Sequence, residues 1–505
     1  MGKQGKPAQG ADFPERKGKR SSMRLGKRVF AGCVRDADPE LAARIESIDN
    51  WREDYAGPCR DVVGVAATSH DKALHAATTG LRILHEEFVF GRDGQEQNLA
   101  QAVADPDVTA FAHVVVAGSK ALKRPKLVLP SRGRLLAGSE LRAQLAKWTK
   151  NGIAEPTFET ALGNVLDNPE WLDLTGVHVA LLGAGAELGP LRQLLQWGAD
   201  VWAVDLPRPA VWQRLIAAAV DSPGVLHVPV PAGVPLPAPE DYDGLAQIAG
   251  ANIITQAPEL RRWLDLITEP FVLANYGYAD GALNVRLSMA TDAIAADIIA
   301  KRDDVMLSYL ATPTDAFAVP ASAMAMARER WHENMLARAA RRPLSVAGLF
   351  QPNYQHTVTN ELGDEVGIAD CIVPQQGPNY LLAKRLQRFR AVTARAAGIR
   401  VSLNVAPATR TVSVVKNKAL AAAYEGADQF GIEVFAPETC NTVMAAAMIR
   451  DLRDPTSLTN PQLSVTNPMD LFADAANHGG LWRVAYDPRS VLGVAAVVGM
   501  VLHYV

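Results

Sequence analysis

The chain has 505 residues, of which 48% are hydrophobic and 21% charged, and it carries a net charge of −3. That length corresponds to roughly three domain-sized units, and the composition is that of a globular chain able to fill a sizeable core. The near-neutral balance leaves no global field for a polyanion, so nucleic acid is not an expected partner. Four cysteines (Cys33, Cys59, Cys371 and Cys440) stand far apart and form no CxxC pair. Neither a disulfide framework nor a metal site is therefore expected, and a reducing, cytoplasmic compartment is the default.

In chain order, residues 1–28 are polar and basic and read as a disordered tail, with an electrostatic tether to an anionic membrane as the alternative. Residues 29–170 read as an N-terminal α/β region. Strands are predicted over 61–67, 112–118 and 126–130, and helices over 71–87 and 139–150. No chemical motif falls there, so a substrate-side or oligomerisation role is expected. A βαβ unit follows: strand 177–182, a glycine turn, a helix through 191–196 and a second strand 201–205. Further strands are predicted over 251–256, 305–310 and 399–405, with helices over 282–300, 316–340 and 380–397. Residues 343–378 have little periodicity and read as irregular. The run Arg338 to Arg342 reads as a solvated helix end. The segment 456–505 ends in the apolar run 491–505, shorter than the ~20 residues of a spanning helix. A buried element or a subunit contact in a homo-oligomer is expected, and peripheral membrane contact stays open.

The turn is Gly183-Ala-Gly185-Ala-Glu-Leu188-Gly189. A pyrophosphate must approach backbone N–H groups at a helix start, and side chains at Gly183 or Gly185 would crowd that approach. Gly189 lets the helix pack on its strand. Asp205 ends the next strand, where a carboxylate accepts hydrogen bonds from an adenosine ribose and repels a 2'-phosphate. Two further landmarks are Tyr380-Leu-Leu-Ala-Lys384, opening a helix, and the strand 399–405 with its loop carrying Pro407 and Thr411.

Strand, glycine turn, acid-ended strand, YxxxK helix and Pro loop, in that order, resemble the short-chain dehydrogenase/reductase family over about 174–450. The chain departs from the pattern at Leu182, at Glu187 and at Thr255 to Pro258, which stands where the family has an NNAG motif. The 68 residues from Thr312 to Tyr380 imply an insertion of about 315–376 that would shape the substrate pocket. The resemblance implies a doubly wound parallel sheet of Rossmann type over 171–455, with the α/β region 29–170 added. It implies NAD as cofactor, with NADP the alternative, bound by Gly183, Gly185, Leu188, Gly189, Asp205, Pro407 and Thr411. It implies Tyr380, Lys384, Thr312 and Asn284 as catalytic residues, with Ser308 and Thr314 as rivals to Thr312. An ammonium at i+4 would lower the phenol from its ordinary value near ~10. Thr312 would bond the substrate oxygen, and Asn284 would hold a water relay to Lys384. The implied activity is interconversion of a hydroxyl and a carbonyl on a small or hydrophobic substrate. A non-catalytic nucleotide-binding or scaffold protein on the same fold is the alternative.

Overall fold

The computed structural model describes residues 7–333 and 348–503. Its centre is a seven-stranded sheet: β1 (Ala112–Ala117), β2 (His178–Leu182), β3 (Asp200–Val204), β4 (Val225–Val230), β5 (Phe271–Asn275), β6 (Val305–Ala311) and β7 (Val401–Val405), in the spatial order β7-β6-β5-β2-β3-β4-β1. All neighbours are parallel except β1, which closes the β4 edge antiparallel. The order therefore reverses between β2 and β5, the place where doubly wound folds form a crevice beyond the carboxyl ends of the strands.

The period-2 alternation of the strands splits their side chains between two cores. Ala180, Leu182, Trp202, Val204, Leu273 and Leu307 enter one core. Val179, Leu181, Val201, Ala203, Val272 and Met306 enter the other. The first core is covered by α1 (Ser22–Val34), α2 (Ala56–Ala67), α3 (His70–Glu87), α5 (Ala282–Ile299) and α6 (Pro378–Ala396). The short α4 (Leu191–Gln196) and α8 (Pro437–Arg453) lie on the second. The outcome is an α/β fold with helices on both faces of a mostly parallel sheet.

The N-terminal region does not stand apart: β1 belongs to the central sheet, and α1–α3 share a core with α5 and α6. Nor are residues 7–28 a disordered tail. Gly10–Asp12 pairs with Val89–Arg92, and α1 begins at Ser22, capped by Ser21. The first six residues of the expected tail lie outside the described residues.

Two predicted strands are helices. The apolar run 61–67 belongs to α2, whose buried residues Cys59, Val62, Val63, Ala66 and Ala67 repeat at helical spacing. The run 251–256 opens the helix Ile253–Leu264, with the Asn252 side chain capping Ile254. The strand beside β2 is Phe271–Asn275, a fully buried apolar run that shows no alternation. The insertion is only partly irregular. It contains the helix Ala321–Glu333 and a small antiparallel sheet of Ala316–Val319, Glu365–Asp370 and Thr357–Thr359. The remainder of the helix expected over 316–340, and the Arg338 to Arg342 run, lie outside the described residues.

The apolar C-terminal run forms α9 (Pro488–His503), packed on α7 (Lys418–Gly426). Gly426 lies against the Ala495 carbonyl and Gly499 against the Ala422 carbonyl, approaches that a Cβ would block. Among the described residues, no helix is long and apolar enough to cross a membrane.

Candidate functional site

The crevice has two ends. At the first, the chain leaves β2 at Gly183, with φ +85°, where an added Cβ would stand 2.6 Å from the backbone of Gly277. Only glycine can let these two loops approach so closely. Gly183 and Ala184 donate to the Val204 carbonyl, Ala186 to Gly183 and Gly189 to Ala186. Gly185 donates to Asp205 Oδ2 (2.7 Å), and Asp205 Oδ1 accepts from Leu206 (2.8 Å). The partly buried Asp205 carboxyl is raised above the usual carboxylate range, because burial outweighs those bonds.

Two successive turns delay the helix, which begins only at Leu191 and lasts six residues. They leave the N–H groups of Glu187 and Leu188 without an acceptor among the described residues. Two adjacent free donors beside the Asp205 carboxylate are groups able to hold an anion. Across the crevice, the Glu187 carboxylate accepts from Val412 N–H (2.8 Å), at the start of the turn of helix after Pro407 and Thr411. Asn441 of α8 donates to the Glu187 carbonyl (2.8 Å). The glycine turn is thereby tied to the loop holding Pro407 and Thr411.

The second end lies at the carboxyl end of β6. Thr312 follows the strand directly, and its hydroxyl bonds that of Thr314 (2.8 Å), which donates to Gln376 Oε1 (2.7 Å). Tyr380 is in the first turn of α6, where Pro378 is pre-organised for a helix start. The Thr312 and Thr314 hydroxyls neighbour its phenol and favour its ionised form. Lys384, one turn on, donates to the Leu310 carbonyl (3.1 Å) and to Gln387 (3.3 Å).

Tyr380, Thr312 and Lys384 therefore converge, with two corrections. Burial pushes the Tyr380 phenol up to about 12, against the pull of the two threonines, and Lys384 does not lower it. Burial also lowers Lys384 to about 8. The second correction concerns Asn284. It is buried and accepts from Ala279 N–H (3.2 Å), a bond that pins the loop after β5 and gives it a structural role. Ser308 is fully buried and faces Tyr276, on the side away from Tyr380. Thr314, the other rival, belongs to the cluster with Thr312. The segment Thr255 to Pro258 lies in a helix outside the crevice, whose wall is formed instead by Asn275 to Tyr278.

A cleft of about 590 Å³, counted to its open mouth, runs from Thr314 between α7 and α9. Ile372, Val373, Tyr424, Leu481, Leu492 and Ala495 make it almost wholly apolar, and Arg489, paired with Asp370, stands on its wall. Sequence reasoning missed Tyr278, Gln376 and Tyr424. The Tyr278 ring meets that of Tyr380 edge-on at 6.2 Å. The available signal was the glycine-flanked stretch after β5, hidden because that strand was placed some twenty residues too early. No protein-family model matches the chain, and no curated protein was found that matches it.

Proposed function

We propose that this chain is an NAD(H)-dependent oxidoreductase, with NADP(H) as the alternative, interconverting a carbonyl and a hydroxyl on an apolar substrate. The observation that carries the reading is the meeting of Tyr380, Thr312 and Thr314 at the end of β6, with Thr314 on the wall of the apolar cleft. The strand order supports it: counted from β2, the parallel strands run 3-2-1-4-5-6, the order of the dinucleotide-binding doubly wound fold. The free N–H groups of Glu187 and Leu188 would hold the phosphates, and Asp205 the adenosine ribose, which favours NAD. When bound, the nicotinamide supplies or takes the hydride.

The chain's own groups handle the proton. A phenol raised by burial is protonated at neutral pH, so Tyr380 is the group that donates to the substrate oxygen in the reductive direction and takes the proton back in the oxidative one. The Thr312 hydroxyl donates to Thr314, whose own proton goes to Gln376, so Tyr380 is the hydroxyl left to donate to that oxygen. The walls of the cleft exclude water and select an apolar body.

The test is titration of the full chain with NADH and NADPH, followed by tryptophan fluorescence, then turnover on a panel of apolar ketones. Saturable binding is expected, tighter for NADH, with the preference lost in Asp205→Ala. If neither nucleotide binds the folded protein, the oxidoreductase reading is overturned and the scaffold alternative takes its place.

A further inference from the structure

The apolar C-terminal helix is covered on one side only. α9 meets α7 closely where Gly426 lies against the Ala495 carbonyl and Gly499 against the Ala422 carbonyl. On its other face Gly493 is exposed, and Val497, Met500 and Val501 are 56%, 49% and 58% exposed. These positions follow the i, i+4, i+7, i+8 spacing of one helix stripe, a face that a solvated helix fills with polar residues. Here no ionisable residue stands between Arg489 and His503.

The two glycine contacts make α7 and α9 antiparallel, since the later residue of α9 meets the earlier residue of α7. The last turns of α9 therefore end beside the start of α7, where Lys416 and Lys418 are exposed. Neither lysine pairs with an acid among the described residues. Val412 and Val415, both more than half exposed, stand in the short helix Val412–Lys416 that leads into α7. The acids are engaged or distant: Glu187 is bound at Val412 N–H, Glu425 pairs with Arg410, and Asp428 and Asp487 lie at the opposite end of the helix pair. An apolar stripe ending in unpaired lysines suits the boundary of an anionic bilayer, where acyl chains receive the apolar side chains and headgroups face the ammonium groups. Lysine stems are long enough to lie along the apolar face while their charges reach those headgroups. A second copy suits the stripe less, because its symmetric contact brings two more lysines and no acid to meet them.

We propose that this end of the α7–α9 pair docks on an anionic lipid surface, with Val497, Met500 and Val501 at the acyl boundary and Lys416 and Lys418 at the headgroups. The docking does not depend on the oxidoreductase reading. The test is flotation of the full chain on vesicles of phosphatidylcholine, with and without phosphatidylserine, at low and high salt. The expected result is flotation that needs phosphatidylserine and falls as salt screens the lysines. Val497→Asp with Met500→Asp should weaken vesicle binding at least tenfold, and so should Lys416→Glu with Lys418→Glu. All four positions are exposed, so the unfolding midpoint should not move. Failure to float on phosphatidylserine vesicles would overturn the proposal. So would equal flotation without phosphatidylserine, or binding that the Val497 and Met500 variant retains. Light scattering without lipid tests the other occupant: a dimer that the same variant splits into monomers would overturn the proposal by giving the stripe to a second copy.

Discussion

The two ends of the crevice are built on opposite terms. At the glycine turn, most backbone donors are engaged inside the protein, and every glycine has a structural reason. Gly183 meets Gly277, Gly185 meets Asp205 and Val211, and Gly189 sits over Ala186. At the tyrosine end, the hydroxyls of Thr312 and Thr314 chain to Gln376 and Lys384 is held by the Leu310 carbonyl, beside a phenol and an ammonium both shifted by burial. A glycine motif can therefore be required by packing alone. A phenol beside two hydroxyls, one of them on the wall of an apolar cleft, has no such structural need.

That contrast is broken most directly by removing one hydroxyl. Tyr380→Phe keeps the ring against Tyr278 and deletes the proton donor. We expect kcat/KM on an apolar ketone to fall by roughly 10²–10⁴-fold, with nucleotide affinity and the unfolding midpoint unchanged. Wild-type turnover in the variant would move the chemistry away from α6. At the other end the expected effect falls on stability. Gly183→Ala places a methyl 2.6 Å from Gly277 at φ +85°, and should cost about 2–4 kcal/mol from strain and displaced backbone together. Urea unfolding measures it. A loss under about 0.5 kcal/mol, in the range of an ordinary surface change, would mean that the two loops do not pack as described.

The glycine end was legible in the sequence and the tyrosine end only in part, for physical reasons. Val177 to Asp205 is a local unit, in which strand, turn, helix and strand follow within thirty residues and each boundary has its own residue signal. Tyr380 and Lys384 were legible as one turn of helix. Thr312 was placed by its position at a strand end, although 68 residues separate it from Tyr380. What escaped was set by tertiary burial. The fully buried β5 lacks alternation, so a short apolar run upstream carries the stronger strand pattern and the position of Tyr278 is not encoded locally. Sequence spacing also predicted a lowered phenol from an ammonium at i+4. Lys384 instead turns to the Leu310 carbonyl, and no pattern of residue types encodes that choice. The independence of 29–170 failed similarly, since only folding brings β1 to the β4 edge.

The tyrosine end is sharpened by pH. Burial lowers Lys384 from 10.5 to about 8. If its charged form assists the reaction, kcat/KM falls tenfold per pH unit above about 8. The stability contribution has the opposite sign. Between about 8 and 10.5 the unfolded chain binds more protons at this residue than the folded one, so its linkage term raises stability as pH rises. Lys384→Met should remove both limbs. A falling activity limb that persists in Lys384→Met would assign it to another group.

The smallest effect probes whether phosphate approaches the glycine turn at all. Glu187 is exposed, caps Val412 N–H and puts a negative charge next to the free N–H groups of Glu187 and Leu188. Glu187→Gln keeps an acceptor for that N–H but removes the charge, so the tie across the crevice survives and the cost in stability stays within about 0.5 kcal/mol. A dinucleotide carrying two phosphate charges would then meet less repulsion, and NADH affinity should rise roughly two- to fivefold at low ionic strength. The gain should shrink as salt screens an exposed site. Fluorescence titration at two salt concentrations separates the outcomes. A salt-sensitive gain places phosphate at the turn, and an unchanged affinity means that the donors of Glu187 and Leu188 face no anion. A weakened affinity would show that the Glu187 carboxylate organises the site through Val412, in which case the tie across the crevice matters more to binding than the charge it carries.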